Sequence, residues 1–233
     1  MITTALKSGL SHLTFRVMYT SMAAYESLNI PAISTARPFS FYRNAFFSNE
    51  TETNVLNELN GQKLIDIGCG LTPFTDDSMF QACRREGIEF YGIDPKVNDG
   101  FRFGIFDRLK SVATGSRSVP NARNAGLEKA IPAYANDLPF ENESVDMILS
   151  CWLIMSWIRS DDLLADIFQE LDRILKPGGS IRLFPTNEWG RVASQNPQLA
   201  TVLECYEVEQ RFMLGANLAS APPAYTTRFI KPC

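Results

Sequence analysis

The residues with the clearest capacity for chemistry fall in one short run. Asp66-Ile67-Gly68-Cys69-Gly70 follows the apolar pair Leu64-Ile65 and leads into Leu71-Thr72-Pro73, the pattern of a strand entering a glycine turn that opens a helix. So tight a turn needs backbone angles that most side chains disfavour, and a residue without Cβ lets a ligand lie against the main chain near the helix N-terminus. Asp94 stands twenty-four residues past Gly70, closing the run Phe90-Tyr91-Gly92-Ile93. A carboxylate at the end of a second strand can accept hydrogen bonds from both hydroxyls of a ribose. A dinucleotide-binding turn would carry a third glycine for close helix packing; Pro73 holds that position, which weakens a nicotinamide reading.

Three later runs extend the pattern. Asn136-Asp137-Leu138-Pro139-Phe140 follows a third β-like segment, Val145-Asp146-Met147-Ile148-Leu149-Ser150 reads as a buried strand, and Leu171-Asp172-Arg173-Ile174-Leu175-Lys176-Pro177-Gly178-Gly179 ends a helix in a turn. In order and spacing these runs, with the glycine turn and Asp94, resemble the motifs of class I S-adenosylmethionine-dependent methyltransferases of the small-molecule, methyltransferase type 11-like kind. The resemblance spans residues 63–185. It departs in the long gap between Asp94 and Asp137 and in Cys151-Trp152-Leu153-Ile154-Met155-Ser156-Trp157, where relatives often place histidines.

The resemblance implies S-adenosylmethionine as cofactor and a role for each matching residue. Gly68 and Gly70, with Cys69 between them, would lie against the methionine part, and Asp66 would position its ammonium directly or through water. Asp94, followed by Pro95, would hold the ribose. Asp137 would accept from the adenine amino group, the Leu138 backbone N–H would donate to the ring, and the Ser150 or Cys151 carbonyl would help bind the ammonium. A sulfonium methyl is already electrophilic, so the protein's tasks are alignment and water exclusion, and a strong base is optional. No catalytic base is identifiable: His12 is the only histidine. The Asn/Asp-Pro-Pro-aromatic motif of enzymes that methylate adenine or glutamine nitrogen is missing after the fourth strand, which argues against those acceptors.

The elements that must position these residues alternate. Short β-like runs at 63–67, 89–93, 130–135, 145–150 and 180–184 are interleaved with helical patterns at 73–86 and from Ser160, whose Leu163, Leu164, Ile167, Phe168, Leu171 and Ile174 recur at helical spacing. Ser160 suits a helix N-cap and Asp161 and Asp162 suit its first turn. Two further strands, near 208–213 and 225–230, would complete the sheet as an antiparallel hairpin. The expected fold is α/β, a doubly wound, mostly parallel seven-stranded sheet of Rossmann-like methyltransferase type with an N-terminal helical cap. Residues 1–60 form that cap or lid and 61–233 the cofactor-binding domain. The N-terminal segment with its cluster Phe39, Phe41, Tyr42, Phe46 and Phe47 is expected to fold over the cofactor and help form the acceptor pocket, the competing reading being that these aromatics seal the sheet edge; Tyr42, Trp152 and Trp157 are the substrate candidates.

Composition bounds the partners. With 233 residues, 45% hydrophobic and 21% charged, the chain has the make-up of one elaborated soluble domain. Its net charge of −4 lacks the footprint of a protein that neutralises many phosphates. Residues 95–130 carry a local excess of four positive charges and are rich in Gly, Ser, Asn and Arg, as in a surface insertion. Five widely spaced cysteines and one histidine point to a reducing compartment and no metal. The expected protein is cytoplasmic, a monomer or homodimer acting on a small-molecule methyl acceptor at N, O or S, without nucleic acid or membrane. An NAD-dependent oxidoreductase and a non-catalytic methyltransferase-like binding protein are the competing readings.

Overall fold

A computed structural model describes residues 3–27, 35–48, 50–98, 119–215 and 222–233. Much of the basic insertion, residues 99–118, lies outside them. Helices α1 (Thr4–Ser27), α2 (Phe39–Phe46) and α3 (Glu52–Leu59) precede the sheet. Then follow β1 (Lys63–Ile67), α4 (Met79–Arg85), β2 (Glu89–Ile93), β3 (Ala130–Ile131), β4 (Val145–Cys151), α5 (Asp161–Ile174) and β5 (Leu175–Thr186). The chain ends with α6 (Trp189–Gln195), α7 (Pro197–Val202) and the hairpin partners β6 (Glu207–Met213) and β7 (Ala224–Ile230).

The seven strands lie in the order β3-β2-β1-β4-β5-β7-β6. Pairings from β3 through β5 are parallel, while β7 runs antiparallel between β5 and β6. The direction of winding reverses between β1 and β4, and in open α/β sheets such a switch point opens a crevice at the carboxyl ends of the strands.

Both sheet faces are buried, so the central strands read as near-continuous apolar runs. Along β4, Met147, Leu149 and Cys151 pack on one face with Phe39, Phe41, Tyr42 and Phe46 of α2, Val55 and Leu59 of α3, and Phe80 of α4. Ile148 points to the other face with Ile65, Ile67 and Ile181, under Leu164, Ile167, Phe168, Leu171 and Ile174 of α5. The aromatic cluster before the first strand is therefore one layer of the core. Its physical reason is plain: five rings beside a bare sheet face bury more apolar area there than over a solvent-filled cleft.

Several local expectations change. The helix expected over 73–86 is split into a 3-10 turn, Thr72–Phe74, and α4, because the Ser78 hydroxyl caps α4 by accepting from the Gln81 N–H. The third strand stops after Ile131, where Pro132 cannot donate to a ladder. Ser160 occupies the N-cap of α5 without a side-chain bond. Asp161 instead accepts from the N–H groups of Gln198 and Leu199 at the start of α7. The segment expected to turn at Pro177-Gly178-Gly179 belongs to the long β5, and it is pinned by paired bonds of Gly178 and Gly179 to Lys231.

Candidate functional site

A cavity of about 820 Å³ opens at the carboxyl ends of β1, β2 and β4, where the sheet switches direction. Gly68, Gly70, Asp94 and Pro95 form one wall. Cys151, Trp152 and Trp157 form another, and α1 closes the mouth with Leu10, Leu13, Val17 and Met18.

The glycine turn is built for Asp94. Gly68 and Gly70 have φ of +74° and +54°, values that glycine reaches without a Cβ penalty. The N–H groups of Gly68 and Cys69 both reach the Ile93 carbonyl, which ties the turn to the end of β2. The Gly70 N–H donates to Asp94 Oδ2 at 3.1 Å, and the Lys96 N–H donates to Oδ1 at 3.0 Å. A carboxylate has about four acceptor positions, so Asp94 is oriented by the main chain with capacity left for two hydroxyls. At Gly68 the missing Cβ has a different use from the one expected: a Cβ there would stand 2.8 Å from Leu153 Cδ2. The protein's own leucine fills that space.

Beneath the turn lies an unusual pair. Asp66 is fully buried, its Oδ2 accepts from the Tyr42 hydroxyl, and its Oδ1 has no partner. Burial pushes its carboxyl up to about 7, against the opposing pull of the Tyr42 hydroxyl and the Arg37 guanidinium. Burial likewise raises the Tyr42 hydroxyl, and the neighbouring Asp66 adds to it. Arg37 itself is only 6% exposed, lines the cavity, and stacks over the Phe41 ring at 5.6 Å. Among the described residues it makes no ion pair. A buried guanidinium facing a cavity calls for an anionic ligand group. Sequence reasoning missed Arg37, whose only local signal is a lone cation just before Pro38 and an aromatic run.

The sequence-predicted residues divide accordingly. Gly68, Gly70, Asp94, Pro95, Cys151, Trp152 and Trp157 come together around the cavity. Six others do not line it. Tyr42 is spent on Asp66 in the core, which removes it as a substrate contact. Cys69 is buried away from the cavity, its Sγ lying against the site of a Gly92 Cβ. Ser150 is buried and donates to the Ile67 carbonyl, bracing β4 on β1. Asp137 is exposed, and its neighbour Asn136 takes the place at the wall. The expected Leu138 N–H donor is already used: it donates to Glu170 Oε1 at 2.8 Å, and Glu170 is held in turn by Arg173. Asp66 sits below the wall rather than in it, with its free oxygen as the one unmet buried side-chain acceptor among the described residues.

The methionine end of S-adenosylmethionine fits this arrangement. Arg37 faces the cavity with no ion-pair partner among the described residues, the orphaned oxygen of Asp66 calls for a donor, and Asp94 lines the same cavity with acceptor capacity to spare.

Residues 106–183 match a family model described as "Methyltransferase domain". No curated protein matches the chain. Among solved structures it is similar to an S-adenosylmethionine-dependent methyltransferase of Methanosarcina mazei, at 16% identity over 76% of this chain and 97% of that one, TM-score 0.46. A 16S rRNA (adenine(1408)-N(1))-methyltransferase of Catenulisporales acidiphilia is similar at 15% identity over 79% and 93%, TM-score 0.46. A phosphoethanolamine N-methyltransferase of Haemonchus contortus, solved with S-adenosylhomocysteine, is similar at 15% over 83% and 56%, TM-score 0.42. The matched segment runs from before β3 through most of β5, inside the seven-stranded sheet whose first five strands are parallel.

Proposed function

We propose that the protein transfers the methyl group of S-adenosylmethionine to a small, largely apolar organic acceptor. The observation that carries this reading is the two-sided character of the cavity. Its charged lining residues among those described, Arg37, Asp94 and Lys96, lie with the glycine turn and the segment after β2. The facing side is Leu10, Leu13, Val17 and Met18 of α1 with Trp157, Ile158 and Leu163. A volume of about 820 Å³ is near the upper end of small-ligand pockets and leaves room for two molecules.

The bound cofactor supplies an electrophilic methyl on a sulfonium centre. Arg37 takes the methionine carboxylate, and the free oxygen of Asp66 takes the ammonium directly or through water. Asp94 holds the ribose hydroxyls while its own orientation is fixed by the Gly70 and Lys96 N–H groups. Asn136, with donor and acceptor on one amide, stands where an adenine edge needs both. Trp152 is placed by its N–H bond to the Phe184 carbonyl, and with Trp157 and α1 it excludes water and aligns the acceptor. No Asp, Glu or His is among the described residues of the apolar side, so the acceptor is a nucleophile that reacts without a strong base: a thiolate, a ring nitrogen or an unprotonated amine. The same reading keeps the enzyme in the cytoplasm, acting on a free metabolite rather than on nucleic acid.

The test is a panel of apolar thiols, heteroaromatic amines and short RNAs incubated with S-adenosylmethionine, reading S-adenosylhomocysteine formation. Turnover with one of the small molecules is expected. Turnover with RNA alone overturns the acceptor assignment, and calorimetry that finds NAD bound but no S-adenosylhomocysteine overturns the cofactor.

A further inference from the structure

A second cavity, of about 250 Å³, lies along another stripe of α1. Three cations from three parts of the chain border it: Arg16 on α1, Arg159 in the segment after β4, and Arg191 on α6. His12 stands one helical turn before Arg16, and Asn187 and Gln195 add polar groups. Its inner surface is apolar, formed by Phe15, Met155, Leu164 and Val192.

Positive charge here has no protein answer among the described residues. None of the lining residues is a carboxylate, and none of the three arginines takes part in an ion pair. The acids on the flanking elements are directed elsewhere: Asp161 to the start of α7, Asp162 to the Gln198 amide, and Glu188 to the Ser8 hydroxyl. Arg159 is held over the Tyr19 ring at 4.7 Å, a contact that keeps one guanidinium at the rim. In a chain of net charge −4, three guanidiniums border one small cavity, and an anion seated there would answer their charge.

We propose that this cavity binds a small phosphate monoester, with the phosphate among the three arginines and the carbon portion on the apolar surface. The guanidinium fork matches phosphate oxygens two at a time, which a single carboxylate cannot offer to three arginines at once. The volume limits the organic part to about one small ring. Because Leu10, Leu13 and Val17 of the same helix wall the larger cavity, a molecule seated here braces α1 over the acceptor. Binding does not depend on the methyl-transfer reading.

Calorimetry of the full chain with phenyl phosphate, at about 0.15 M salt, tests it. Saturable binding is expected, tighter than that of inorganic phosphate. Arg16→Gln and Arg191→Gln should each weaken it by about tenfold, with melting temperatures unchanged because both side chains are exposed. Arg85→Gln, which removes an exposed charge elsewhere, should leave it unchanged, as should saturating S-adenosylhomocysteine. An absence of saturable binding, equal weakening by Arg85→Gln, or displacement by S-adenosylhomocysteine overturns the proposal; the last outcome would place the anion at Arg37 instead.

Discussion

Helices α1 and α2 both precede the sheet, yet they do opposite work. In α2 the aromatic residues are buried to the last ring, packed on β4 and β5 through Phe41 and Phe184. In α1, Leu6, Leu13 and Val17 remain more than half exposed, while Phe15 and Met22 turn inward. The second helix is scaffold and the first is a wall. Proximity in sequence thus says little about shared function; what separates the two is whether an apolar stripe meets a sheet face or a cavity mouth.

Truncation separates them most sharply. A chain shortened to begin at Glu50 loses the α2 layer and should fail to fold, judged by near-ultraviolet circular dichroism. A chain beginning at Thr35 loses only α1 and should melt cooperatively, bind S-adenosylhomocysteine and transfer no methyl groups. Equal behaviour of the two would erase the distinction.

Single substitutions sharpen it. Phe46→Ala should cost about 3–5 kcal/mol in denaturant unfolding, the usual toll of deleting a buried ring. The buried carboxyl under the glycine turn gives the next largest effect. The Asp66 carboxyl is pushed up to about 7 by burial, from an ordinary 3.8, so between those values the folded state keeps a proton that the unfolded chain has released. Stability contributed by this group is therefore full below the ordinary value and lost as pH rises through about 7. Asp66→Asn should remove that decline, on the order of 2–4 kcal/mol between acid and neutral pH. Parallel melting curves across that window that fall together in parent and variant would refute it.

Smaller effects belong to the cavity. Arg37→Gln should weaken S-adenosylhomocysteine binding by about 1.5–3 kcal/mol, the range for a lost bond to a charged group, without lowering the melting temperature. Asp94→Ala should cost about 2 kcal/mol of the same affinity, because it removes the ribose acceptor and also frees the Gly70 N–H. The smallest change is at α1: Val17→Asn should leave stability within about 0.5 kcal/mol yet raise KM for an apolar acceptor with kcat retained. If KM is unmoved, α1 is not the acceptor's wall.

Part of this was legible in the chain itself. The alternation of β-like runs with the α5 periodicity led to a parallel sheet, and Gly68, Gly70 and Asp94 were readable as one site because the carboxyl ends of adjacent parallel strands converge. Asp146, near the start of β4, accepts from the Lys63 N–H and pairs with Lys176. The use of the Leu138 N–H is one that no local pattern carries: Glu170, thirty-two residues on, takes it.

What the sequence by itself determined is the set of elements and their order, since helix and strand periodicities are written over a few neighbouring residues. Only the tertiary structure decided which groups meet across long separations. It brought Arg37 to the cavity, seated Tyr42 on Asp66, sent the aromatics of α2 into the core and laid α1 across the opening. Those choices follow from competition for buried area and for unpaired polar groups, which is settled between elements and leaves no mark on the spacing within one.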